Sequence, residues 1–199
     1  MNDLIKIVGL AKIRADAGFS RVGRRLNAAD SSERALMILT ARAVSVANAI
    51  SRLCLDGHAN ESLPLLRALA EFASTARWMV VADVEARARV ALAELEKPGW
   101  AGVWDDKRSQ ERARSAAVPT EAADLALGSA ADFVRGNAQG LPWGHVFSEG
   151  LLPGRKPEEV LAAAAQWLSS VLEALDRKWP GDFPGAAEMR DAIQISRGQ

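Results

Sequence analysis

Arg67 and Glu71 stand four residues apart in the most apolar stretch of the chain, LPLLRALAEFASTARWMVVA, which begins at Leu63. At that spacing a guanidinium and a carboxylate share one side of a helix and form a charge-assisted pair. Either charge alone would be costly to bury. So placed, the pair either fixes how neighbouring helices dock or lines a polar cleft. Docking is the first expectation, because an internal ion pair needs no ligand to explain it. Trp143, His145, Phe147, Ser148 and Glu149 form a second cluster, in a stretch rich in Gly and Pro. Such a loop could serve as a lid or ligand-contact surface. Alternatively Trp143 and Phe147 anchor it to the body of the protein and His145 is solvated. Ser148 has no GxSxG strand-to-helix setting, so a hydrolase triad is not expected. Arg21, Arg24 and Arg25 share a helical face, and residues 1–34 hold seven basic against four acidic side chains. That local excess would suit RNA or DNA, though a solvated face is the commoner outcome.

The elements that must position these residues read as helices. No stretch alternates strictly between apolar and polar residues, while the helical period recurs almost everywhere. The expected architecture is a single all-α domain over 1–199. It is a bundle of five to seven helices with a central antiparallel hairpin, its innermost rod the helix that carries Arg67 and Glu71. A first helix opens after Asp3 and runs to about Asn27, weakened at Gly18. The second is capped at Asp30, with Glu33 at capping-box spacing and Ser31 or Ser32 as alternative caps. Its seam is Leu36, Leu39, Ala43, Val46, Ile50 and Leu53, and Gly57 stops it. The third spans about Glu61 to Ala82, with Pro64 in the first turn, where its missing N–H loses nothing. Asp83 caps a fourth, which Pro98-Gly99 ends near Lys97. The pattern then loosens through Trp100, Trp104 and a mixed-charge run, DDKRSQERAR. Pro119-Thr120 opens a helix to about Val134, and residues 136–157 form a long Gly/Pro-rich loop. Pro157 begins the last long helix, with Val160, Leu161, Ala164, Trp167, Leu168, Val171 and Leu175 as its stripe. A short tail helix, about 184–196, offers Ala187, Met189 and Ile193.

Composition narrows the class of protein. The 199 residues carry 25 basic and 25 acidic side chains, a net charge of zero, which sets aside a strongly basic nucleic-acid binder. Cys54 is the single cysteine, so no intramolecular disulfide forms, and without a Cys/His cluster no structural zinc site is expected. No metal and no cofactor is implied. No apolar run approaches a membrane span and the N-terminus lacks the layout of a signal peptide, so the expected location is the cytoplasm, with no membrane contact.

Around the third helix the chain resembles a known family. Gly57-His58-Ala59, then Leu65-Leu66-Arg67-Ala68-Leu69-Ala70-Glu71 and Ala76-Arg77-Trp78, are similar to the pattern of the uncharacterised bacterial helical proteins DUF5677 and their relatives in DUF6988. Asp83-Val84-Glu85-Ala86-Arg87-Ala88 resembles the opening of their next helix. Many of those proteins carry Ser followed three or four residues later by His in a late loop; here Ser148 is followed by Leu151 and Leu152. The resemblance implies a helical fold and no settled activity. Through it the chain would be a non-catalytic interaction or ligand-binding module, associated with bacterial defence or a toxin–antitoxin-like setting. A more distant resemblance is to HEPN-type ribonucleases, which use Arg-x(4–6)-His without a metal. Arg52 and His58 fit that spacing. It implies that Arg52 would hold a phosphate and His58 would act as acid or base near its ordinary pKa of about 6.5. Set against it, Gly57 breaks the helix just before His58, where a residue commonly helps to satisfy the terminal carbonyls. A homodimer is expected, since a short chain buries its Trp and Leu faces more easily when one is shared. A protein or RNA partner follows from the two functional readings.

Overall fold

The computed structural model describes residues 1–96, 106–116, 118–129 and 155–198. Among these are eight α-helices and no strand. They are α1 (Asn2–Val22), α2 (Ser31–Leu55), α3 (Leu63–Val81), α4 (Val84–Leu95), α5 (Asp106–Ala113), α6 (Thr120–Ala123), α7 (Pro157–Lys178) and α8 (Ala186–Gly198). A π-helical turn, Asp124–Ser129, continues α6. Trp100, Trp104, Pro98-Gly99 and most of the stretch expected as a loop over 136–157 lie outside the described residues.

Contacts at the helix ends give the direction of each rod. The Arg155 N–H, just before α7, donates to Asn60, just before α3, at 2.9 Å. Lys178 at the end of α7 meets Asp30 at the start of α2, at 3.2 Å. Arg21 near the end of α1 donates to the Asp182 carbonyl beyond α7, at 3.0 Å. So α1, α3 and α7 run one way and α2 the other, and α2 with α3 forms the expected antiparallel hairpin. The centre differs from expectation, because α3 shares it with α7. Every residue from Val160 to Leu172 is buried. The stripe of large side chains is only part of that surface; Ala162, Ala163, Ala165, Ser169 and Ser170 are small enough to be covered on the remaining sides.

Local rules account for most boundaries. The Asp30 side chain accepts from the N–H groups of Ser32 and Glu33, at 2.8 and 3.1 Å. Glu33 does not close the box on Asp30; its carboxylate reaches back to the Asn27 N–H at 2.7 Å. At the far end of α2, Gly57 adopts φ +85°. Its N–H bonds the Cys54 carbonyl and that of His58 the Leu53 carbonyl, a Schellman closure. The inner face of α2 drifts from Val46 and Leu53, half-buried, to Ala47 and Cys54, fully buried. By length and composition alone α2 could cross a membrane; here Leu36, Leu39, Ala43, Ala47 and Ile50 pack into the core.

Three expectations are corrected. Asp83 does not cap α4 through its side chain; it is the one non-glycine residue with positive φ (+46°) among those described, and it turns the chain between helices. Gly18 does not weaken α1: the Phe183 ring lies where its Cβ would be, in an aromatic cluster with Phe19 and Trp179. On α8 the buried position is Ala186 and not the exposed Ala187.

Candidate functional site

Arg67 and Glu71 lie on the central rod as expected, 1% and 7% exposed. The Arg67 Nη2 is 3.3 Å from the Glu71 Oε1. Its Nη1 donates to the Leu127 carbonyl in the π-helical turn, at 3.1 Å. That turn thus meets a buried cation with a backbone oxygen, which helps to satisfy the guanidinium away from water. The Ser109 hydroxyl of α5 donates to the same Glu71 oxygen.

The charged cluster extends one turn further along α3. Arg112 of α5, also buried, donates from Nη1 to Thr75 at 3.2 Å. It forks onto the Glu94 carboxylate of α4 at 2.9 and 3.1 Å. Such bidentate pairs fix orientation as well as contributing energy. Arg108 reaches Glu94 as well, at 2.6 Å. The Arg112 guanidinium lies 4.6 Å from the Trp78 ring centre and that of Arg87 4.8 Å, so the indole contributes cation–π attraction to two cations. Arg77 donates to the Ser115 carbonyl at 3.3 Å and pairs with Glu173 of α7 at 3.5 Å. Arg190 of α8 also pairs with Glu173.

Burial sets the electrostatics. Desolvation pushes the Glu71 carboxyl up to about 7, outweighing the Ser109 hydrogen bond and the charges of Arg67 and Arg112, which pull it down. Desolvation also lowers Arg77, helped by the nearby charges of Arg177 and Arg190. Chemically the cluster holds cations, carboxylates and hydroxyls in bonds to one another across α3, α4 and α5. Among the described residues no group of three or more His, Cys, Asp or Glu side chains could hold a metal ion.

Arg52 and His58 lie elsewhere. Both are exposed; the His58 side chain is 59% exposed and its Nδ1 stands 3.9 Å from the Glu61 carboxylate. The Arg67–Glu71 cluster draws its described hydrogen bonds from α5 and the π-helical turn, so His58 and the ion pair do not share those contacts. Trp143, His145, Phe147, Ser148 and Glu149 lie outside the described residues.

Ser109, Arg112 and Glu94 were not singled out from the sequence. The available signal was slight: Ser109, Arg112 and Ala116 are spaced three and four apart, and all three are buried. In a run as polar as DDKRSQERAR that spacing reads as a solvated face.

A sequence model for DUF5677, a family of unknown function, matches residues 33–124. The match runs from the first turn of α2 to the end of α6, and takes in Arg67, Glu71, Glu94, Ser109 and Arg112. Over this stretch the chain resembles that family. No curated protein matches the chain, and no solved structure does.

Proposed function

We propose that this chain is a non-catalytic helical interaction module, in which the buried ion network makes the scaffold rigid and exposed helix faces make the contacts. One observation carries this reading. The Arg67 and Glu71 head groups, the best candidates for chemistry, are engaged by Leu127, Ser109 and each other, and α5 lies over the carboxylate. A substrate would have to displace Ser109 to reach the carboxylate and Leu127 to reach the guanidinium. The stretch that resembles DUF5677 contains both halves of the network. A bacterial defence or toxin–antitoxin-like setting and a cytoplasmic location are part of this proposal.

Paired substitution separates scaffold from site. At pH 8, where Glu71 is ionised, Arg67→Met should be strongly destabilising, because the carboxylate stays buried without that cation, whereas Arg67→Met with Glu71→Leu should recover most of that loss. Melting of both variants tests this. A ligand-induced rise in melting temperature that disappears in the folded double variant would count against the module.

The other reading, a HEPN-like metal-independent ribonuclease using Arg52 and His58, is favoured by their joint exposure at the end of α2. Incubation with structured and single-stranded RNA, alongside His58→Ala, decides it. Cleavage by the parent chain that His58→Ala abolishes would overturn the module reading.

A further inference from the structure

The outer face of α1 carries a pattern that packing among the described residues does not use. Leu4, Ile7, Val8, Ala11, Ala15 and Gly18 face the core. On the opposite side Asn2, Lys6, Gly9, Ile13, Asp16 and Ser20 recur at alternating intervals of four and three, the spacing of a coiled-coil seam. Ile13 is 63% exposed and Leu10 beside it is 38% exposed. Lys6, Ile7, Gly9, Leu10 and Ile13 line a shallow apolar notch. Its floor is Gly9, where an added Cβ would meet nothing within 4 Å. Glycine inside a helix is unfavourable relative to alanine. At Gly18 the Phe183 ring explains it; at Gly9 no neighbour among the described residues does.

The seam is complementary to itself when reversed. In an antiparallel pair of α1 helices related by a two-fold axis, facing positions have numbers that sum to a constant. The register that places Ile13 against Gly9 of the second copy also places Lys6 against its Asp16 and Asn2 against its Ser20. Each contact then occurs twice, as an isologous interface requires. A parallel pair would instead set Lys6 against Lys6 and Asp16 against Asp16, which like charges oppose. Among the described residues Lys6 and Asp16 are held by exposed pairs within α1, to Asp3 and Lys12, and such pairs are weak enough to exchange.

We infer that the chain self-associates through α1, antiparallel about a two-fold axis, with Ile13 of each copy seated in the Gly9 notch of the other and Lys6–Asp16 pairs on either side. This rests on the interaction-module reading and names its partner as a second copy. One helix face per copy is a small interface, so association is concentration-dependent.

Sedimentation velocity on the full chain, over micromolar to millimolar concentration, tests it. The parent chain should pass from monomer to dimer. Ile13→Glu should weaken the dimer by roughly tenfold or more, since it introduces a charge at the centre of a desolvated contact. Its circular dichroism and melting should match the parent, because Ile13 is exposed and is not part of the core. Lys6→Asp and Asp16→Lys should each dimerise poorly alone, and mixing them should restore a heterodimer in which every facing pair is of opposite sign. A chain that stays monomeric throughout, a dimer indifferent to Ile13→Glu, or a mixture that fails to recover would overturn the inference. So would a monomer whose Ile13-dependent binding is to phosphatidylcholine–phosphatidylglycerol vesicles, which would assign the face to a lipid surface. Monomeric behaviour without RNA cleavage defeats self-association alone; His58-dependent cleavage defeats the module whatever the oligomeric state.

Discussion

Replacing Glu71 by Gln should make the protein more stable at pH 8 and much less so at pH 5. Glu71 has its carboxyl raised by burial from an ordinary 4.5 to about 7. Between those two values the folded chain holds a proton that the unfolded chain has released, so stability falls as pH rises across that window. The favourable contribution is fully present below pH 4.5 and is lost once pH has risen through 7. A displacement of about 2.5 units, at 1.36 kcal/mol each, corresponds to about 3 kcal/mol. Gln has the shape of the protonated acid, can accept the Ser109 hydrogen bond and carries no charge to desolvate, so the variant escapes this loss.

Urea denaturation of both proteins from pH 5 to pH 8 provides the measurement. The difference between them should grow with pH, reaching about 3 kcal/mol in favour of Glu71→Gln at pH 8. At roughly 2–4 °C per kcal/mol for a chain of this size, that is a rise in melting temperature of about 6–12 °C. Groups away from residue 71 contribute equally to both curves and cancel. A difference that stays constant across the range would refute the reasoning. So would a variant less stable than the parent at pH 8, since it would mean that Arg67, Arg112 and Ser109 stabilise the carboxylate by more than its desolvation costs.

Asp83→Gly should stabilise by about 0.5–1 kcal/mol in thermal denaturation, because it relieves a left-handed backbone and removes no side-chain cap. Gly18→Ala should destabilise by about 1–3 kcal/mol, since the new methyl overlaps the Phe183 ring; Phe183→Leu in the same chain should recover part of the loss. Asp30→Ala should cost about 1–2 kcal/mol at neutral pH, the usual worth of a helix cap. Burial pushes Asp30 up, but Ser32, the Glu33 N–H and Lys178 together hold it lower, at about 2. The difference from the parent should therefore be complete above pH 4 and disappear as pH falls through 2.

What could be read from the sequence, and what could not, follows from how each helix is held. α3 was legible because its apolar residues run round nearly the whole cylinder, which only a covered helix tolerates. Two opposite charges at i, i+4 inside such a run imply their own pairing, and the 3.3 Å contact between Arg67 and Glu71 agrees. α7 was half legible. Its large residues marked one stripe, but Ala and Ser become buried whenever a neighbour comes close, and hydropathy gives no signal for that approach. The same ambiguity displaced the α2 seam onto Ala47 and Cys54.

α5 shows where reading by hydropathy fails in principle. Its packing face consists of Ser109, Arg112 and, one turn on, Ala116, and it docks by hydrogen bonds and ion pairs that exist only because Glu71, Thr75 and Glu94 wait on other helices. A polar residue reports on its environment only when its partner is known, and the partners here are 18 to 38 residues away in the chain. The ion pair on α3 was therefore legible as a pair, while the network that encloses it was not. Since α5 adds few apolar contacts of its own, its attachment should depend on those polar bonds far more than α7 depends on its few. Hydrogen exchange on Ser109→Ala should then show faster opening of α5 with α7 unchanged. Equal loosening of both helices would mean that α5 is held by packing, and the scaffold role assigned to Glu71 would fall with it.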